Sequence, residues 1–203
     1  MRIRLSELQD AFSNPRAFVK AQAKARTGFR SNRYLFLRAV ALDYHKHYDR
    51  GISEARLESK FVQNFKSTKG NDEYLEKLRE YIAEFTALGT SVAKVRNNVR
   101  LSLPAEYADF EITGQVARLD VDPAGGYRAW LLTNRTENWR DEVRFPVLQS
   151  ACAAQLNVDV EEVVPGVYDF STGSYTELRS SKREVQSATR KLWKLLAEIK
   201  GIR

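Results

Sequence analysis

The sequence predicts an α/β protein, with a central mixed β-sheet flanked by helices and a helical N-terminal half. Three observations predict it. Residues 111–157 read as strand, turn, strand and helix. Residues 1–90 place apolar side chains at helical spacing between polar turns. Residues 163–200 return to strand, turn and strand before a long amphipathic helix. The 203 residues suffice for one domain with its own core. Its expected parts are a helical, basic segment over 1–90, a sheet core with hairpin and glutamine-bearing helix over 91–180, and a closing helix over 182–203.

Taken in order, Ser6 is a plausible cap for a first helix. Asn14-Pro15 opens a second, expected over 15–26, because proline suits the first helical turn. Residues 27–32 form a basic loop. Residues 33–48 are helical, with Tyr34, Leu37, Ala41 and Tyr44 near one face. Gly51 suits a C-cap. A further helix is expected over 53–65, then a loop over 67–71. Asp72 caps a helix over 73–88, striped by Leu75, Leu78, Ile82, Phe85 and Leu88. Gly89 ends it. Residues 91–103 alternate enough for an edge strand. Glu111–Val121 and Tyr127–Thr133 are rich in β-formers, and Pro123-Ala124-Gly125-Gly126 supplies the turn between them. A polar linker leads to a small, apolar helix over 147–157. Residues 163–170 and 175–179 are strands around a Ser-Thr-Gly-Ser turn. The last helix buries Val185, Ala188, Leu192, Leu195, Leu196 and Ile199.

The formal charge is +7, and it is localised. Residues 1–50 hold 11 Lys/Arg and 4 Asp/Glu, whereas the remainder holds 22 of each sign. Such an excess binds polyanions by releasing their counterions, or forms a solvated helical face. The single cysteine, Cys152, excludes an internal disulfide and a cysteine-built metal site, and its apolar neighbours make it a core residue. Charges interrupt every apolar run, so no signal peptide, transmembrane span or membrane partner is expected, and the cytoplasm is the expected compartment. There is no phosphate-binding glycine loop or nucleophile elbow. His45 and His47, two apart on a helix, point to different faces and chelate poorly.

The block from 111 to 157 resembles the RecB-type nuclease domains of the PD-(D/E)XK superfamily. Those domains carry a G-x-x-D-R-x-D strand, a second strand ending in an acid-x-lysine, and a helix with Q-x-x-x-Y. Here the first motif reads Gly114-Gln115-Val116-Ala117-Arg118-Leu119-Asp120, with Ala117 in place of the metal-binding aspartate. The second strand ends Leu131-Leu132-Thr133-Asn134-Arg135, without the acid-x-lysine. Gln149 matches the helix glutamine, and Ala153 replaces the tyrosine. Near the N-terminus, Asn14 stands where some relatives have an iron–sulfur cysteine, although Pro15 and Phe18 fit. The resemblance implies a restriction-endonuclease-like core that is degenerate at its active site. A hard divalent cation needs carboxylate oxygens, and phosphodiester hydrolysis needs an activated water and a stabilised phosphoryl group; alanine, leucine and threonine supply neither.

The expected function is therefore a catalytically inactive, nuclease-like DNA-binding protein, accessory to a DNA-processing, mobile-element or defence system. No catalytic residue, metal ligand or cofactor is expected. Arg16, Lys20, Lys24, Arg26, Arg30 and Arg33 would contact phosphates of single-stranded or duplex DNA, with Phe29 available for stacking. Arg118 and Gln149 would sit in the vestigial cleft. Two alternatives stand beside this one. The first is a protein–protein adaptor subunit that docks on a helicase or other DNA-processing protein. The second is an active nuclease with relocated acids, Asp120 with Glu137 or Asp141, which would require magnesium or manganese.

Overall fold

The structure, a computed structural model, describes residues 1–22, 33–46, 54–64, 68–134 and 139–202. Its centre is a six-stranded mixed sheet: β1 (Arg2–Arg4), β2 (Ser91–Leu101), β3 (Glu111–Val121), β4 (Tyr127–Thr133), β5 (Val163–Asp169) and β6 (Ser174–Glu177). The helices are α1 (Leu8–Ser13), α2 (Pro15–Gln22), α3 (Arg33–Lys46), α4 (Glu54–Asn64), α5 (Thr68–Leu88), α6 (Arg144–Leu156) and α7 (Lys182–Ile202). The predicted fold class is the observed one.

β3 is the hub. Along one edge it pairs antiparallel with β2, from Ile112 to Val121. Its other edge is divided: β1 runs parallel to residues 111–113, and β4 runs antiparallel to residues 118–121. β5 lies parallel to β4, and β6 closes that side antiparallel to β5. A parallel pair needs a crossover, and α6 supplies it between β4 and β5. Both faces of the sheet are covered. Ile112, Val116, Leu119 and Ala129 pack against α1, α2, α6 and α7. Ala117, Leu132, Tyr168 and Phe170 pack against α3 and α5. β5 is buried throughout, and a Cβ on its Gly166 would lie 2.2 Å from the Trp130 ring, so close sheet packing demands glycine there.

The sequence boundaries hold for β3 and β4. The six apolar residues named for the closing helix are all buried in α7. Three readings are corrected. Residues 2–4 form a strand, and Ser6 caps nothing; the Arg4 amide donates to Glu7 Oε2 at 3.1 Å instead. α5 begins at Thr68, so residues 68–71 are helix rather than loop and Asp72 lies inside it. α6 begins at Arg144, earlier than expected. Asn14 does cap α2, its Oδ1 accepting from the Ala17 amide at 2.9 Å. Cys152 is buried in α6, and burial pushes its thiol up to about 12. No helix among the described residues is long and apolar enough to cross a membrane.

Candidate functional site

The divided edge of β3 creates the site. β1 stops at Arg4, opposite Thr113, and β4 joins only at Trp130, opposite Arg118. Between them, residues 114–117 have no strand partner on that edge. β4 then leaves β3 and follows β5, with Leu131, Leu132 and Thr133 opposite Val167, Tyr168 and Asp169. The strands fork, and a cleft of about 810 Å³ opens at the fork. Chain enters it closely on one side: a Cβ on Gly114 would meet Leu5 Cδ1 at 2.4 Å, so a side chain there would displace the segment after β1.

Five arginines line the cleft: Arg2, Arg4, Arg38, Arg100 and Arg144. Among the described residues, no acidic side chain does. Arg2 and Arg4 face the same way because they flank buried Ile3 on a strand of period two. Arg100 comes from β2 and Arg38 from α3. Arg144, at the start of α6, pairs with Glu142, and its guanidinium lies 5.0 Å from the Trp139 ring centre. Arg2 and Arg100 each lie 3.7 Å from Glu111. Among the described residues, Arg4 and Arg38 have no carboxylate partner. Leu5, Leu131, Leu132, Leu148 and Val167 give an apolar part of the remaining wall, beside the polar Ser6, Asn98, Thr113, Gln115 and Thr133. The position matched to the family's metal-binding aspartate, Ala117, is fully buried in the cluster beneath α3 and α5. Among the described residues, no group of three or more His, Cys, Asp or Glu is placed to hold a metal ion.

Behind the fork lies a second polar constellation, closed to solvent. Arg118 and Asp120 are both 0% exposed. Arg118 Nε donates to Asp120 Oδ1 at 2.8 Å and to Oδ2 at 2.9 Å. Its Nη1 donates to Tyr81 Oη at 2.9 Å and to His45 Nε2 at 3.1 Å. Asp120 Oδ2 also accepts from Trp130 Nε1 at 2.9 Å and from Thr90 Oγ1 at 3.1 Å. The guanidinium carbon lies 4.3 Å from the Phe85 ring centre. Burial, with Arg118 beside it, pushes His45 down to about 2, so the ring is neutral. Burial raises Tyr81 to about 12. Burial also lifts Asp120 above the ordinary carboxylate value, opposed by Arg118. Burial opposes the charge on Arg118, but Tyr81, Tyr175 and Asp120 outweigh it and raise that pKa. With its Nε2 accepting from a guanidinium, His45 is in no position to hold a cation.

No family model matches the chain, and no curated protein matches it. Among solved structures, it is similar to the crystal structure of a protein from Eubacterium rectale named "Putative exonuclease". The TM-score is 0.56 at 10% sequence identity, over 99% of this chain and 80% of that one. It is also similar to SSO0001, with a TM-score of 0.37 and 8% identity, over 94% of this chain and 85% of that one. The first likeness shows a shared fold: the mixed sheet and its flanking helices.

The structure distributes the predicted binding residues unevenly. Arg16 and Lys20 are exposed on α2. Lys24, Arg26 and Arg30, with Phe29, His47 and Glu137, lie outside the described residues; Arg33 opens α3, but its side chain also lies outside them. Arg118 and Gln149 are corrected. Both are fully buried, so neither lines an open cleft. Gln149 Nε2 donates to the carbonyls of Val160 and Ser180 at 2.8 and 2.9 Å, and its Oε1 accepts from the Ser180 amide at 3.0 Å. It ties α6 to the segments before β5 and α7. Asp120 is likewise committed to Arg118, Trp130 and Thr90, while Asp141 is exposed. The five cleft arginines were not singled out from sequence. The available signal was the Arg-Ile-Arg alternation of residues 2–4, a strand pattern with both charges on one face.

Proposed function

We propose that this chain is a catalytically inactive, nuclease-like DNA-binding protein, accessory to a DNA-processing, mobile-element or defence system. The observation that carries the reading is the fork cleft, whose lining among the described residues holds five arginines and no carboxylate. Arginine matches phosphate with a planar, bidentate fork of donors. The buried alanine at position 117 supports loss of hydrolysis, because an apolar core offers a divalent cation no oxygen. The charge excess of the first 50 residues and the exposed Arg16 and Lys20 extend the basic surface, to which Lys24, Arg26, Arg30 and Arg33 add in this reading. Phosphate contacts of this kind position nucleic acid without reading its bases.

The test is a titration of labelled single-stranded and duplex DNA at two salt concentrations, with and without Mg²⁺ or Mn²⁺, followed by a denaturing gel. Binding that weakens steeply with salt, with the DNA intact, is expected. Neutralising Arg26, Arg30 and Arg33 together should cost about tenfold or more in affinity. Absence of binding would overturn the reading in favour of a protein–protein adaptor. Metal-dependent cutting by the unmutated protein would overturn it in favour of an active nuclease.

A further inference from the structure

The size and charge of the fork cleft fit a more particular ligand than a polymer backbone. At about 810 Å³ it lies within the range of roughly 300–1,000 Å³ typical of small-molecule sites. A duplex cannot enter such a space. Its charge is concentrated: among the described residues, Glu111 and Glu142 offset two of the five arginines, which leaves an excess of three. Among the described residues, Arg4 and Arg38 carry the part not ion-paired to a carboxylate, and Arg38 is half-buried on α3. The apolar wall of Leu5, Leu131, Leu132, Leu148 and Val167 gives the other half of the pattern. An internal phosphodiester brings one charge, and its neighbours are held a nucleotide away. A terminal phosphate brings about −1.5 to −2 near neutral pH, and a di- or triphosphate brings more into the same volume.

We propose that the cleft is a site for a terminal phosphate of a nucleotide, with the phosphate group or chain on Arg4, Arg38 and their neighbours and the nucleoside against the apolar wall. This deepens the DNA-binding reading and rests on the same cleft. Two sources carry this chemistry, a free nucleoside polyphosphate and the phosphorylated 5′ end of a strand.

The experiment is calorimetric titration of the full chain in metal-free buffer with three probes: ATP, a 5′-phosphorylated thymidine dinucleotide, and the same dinucleotide with a 5′-hydroxyl. The expected result is that at least one of the two end-phosphate probes binds about tenfold or more tighter than the hydroxyl form, and that Arg4→Gln with Arg38→Gln removes about tenfold or more of that affinity. Circular dichroism checks that this pair, exposed and half-buried, leaves the fold in place. ATP as the tighter ligand identifies a free nucleotide; the phosphorylated dinucleotide as the tighter one identifies a strand end. Equal affinity for all three probes, or no loss in the double variant, overturns the proposal. A long DNA strand with 5′-hydroxyl ends, titrated in parallel, separates the two readings. If it fails to bind while ATP is the tighter probe, the DNA-binding reading falls and the nucleotide site stands. If it binds while the probes do not discriminate, the reverse holds.

Discussion

Replacing Asp120 by alanine should cripple the fold without touching a binding surface. In the native protein its carboxylate receives both contacts of Arg118 Nε and the Trp130 indole N–H away from solvent, and the hydroxyl of half-buried Thr90, all between 2.8 and 3.1 Å. The substitution strands a guanidinium in the interior, because Arg118 is itself 0% exposed. Breaking a buried pair from one side costs about 3–5 kcal/mol, and the orphaned indole and hydroxyl donors each add roughly 1 kcal/mol or more. A total of about 5–7 kcal/mol compares with a whole stability of about 5–15 kcal/mol. For a chain of this size, roughly 2–4 °C per kcal/mol puts the fall in Tm at about 10 °C or more. Thermal unfolding followed by circular dichroism, with urea titration as a second measure, reads it. Removing both charges, Arg118→Met with Asp120→Leu, should be milder than Asp120→Ala, since no unpaired charge remains. A loss below about 1 kcal/mol in Asp120→Ala, or a double variant as damaged as the two singles together, would refute the buried-pair argument.

Two further outcomes follow from the same interior. His45 is neutral in the folded protein, its pKa pushed down to about 2, whereas the unfolded chain protonates it near the ordinary value of about 6.5. Below that value the unfolded state binds the extra proton, so stability falls as pH drops, by roughly 1.4 kcal/mol per pH unit down to about pH 2. Between pH 7 and 5 the histidine contribution is about 2 kcal/mol. The measurement is the difference in urea-unfolding free energy between the wild type and His45→Gln at the two pH values, which cancels the opposing contribution of Asp120; equal pH slopes would sink the assignment. Gln149→Leu removes three internal hydrogen bonds and orphans two carbonyls and an amide. A loss of about 2–4 kcal/mol is expected on thermal unfolding, with DNA affinity of the folded protein unchanged; a selective loss of affinity would place Gln149 at the surface after all.

The sheet was legible where local chemistry and tertiary context agree. β3 and β4 are rich in β-formers, and the Pro-Ala-Gly-Gly turn between them makes them a hairpin. α7 was legible because its apolar stripe faces a core along its whole length. β1 was not, since an alternation of only three residues is a short signal and their pairing with residues 111–113 lies more than a hundred positions away. The start of α5 was missed for another reason. Lys69-Gly70-Asn71 reads as a turn, yet α5 runs through it; an interior glycine costs only about 1 kcal/mol, which tertiary packing overrides. Arg118 shows how a motif can mislead. Its match to the nuclease strand suggested an open cleft, but Arg118 and Asp120, two apart on a strand, also share a face. Their mutual pairing was the plainer physical reading, and it is what the structure shows. Of the arginine cleft only the Arg-Ile-Arg alternation of residues 2–4 was legible: its other charges come from β2, α3 and α6, and only the divided edge of β3 brings them together.

In the proposed reading, that divided edge is what lets a cleft outlast its chemistry. The fork depends on backbone pairing, with β1 and β4 sharing one side of β3 and β4 turning away to follow β5. None of this requires a carboxylate at position 117, and an alanine there adds apolar burial beneath α3 and α5. What the fork does require, if a phosphate is to enter it, is positive charge. A cleft lined with acids borrows that charge from divalent cations, and with them comes an activated water. A cleft lined with guanidinium groups carries the charge itself, at any metal concentration, and activates nothing. In the proposed reading this separates binding from hydrolysis. The affinity of such a cleft for phosphate should respond to salt but not to chelator, whereas an acid-lined cleft should lose its grip when the metal is removed.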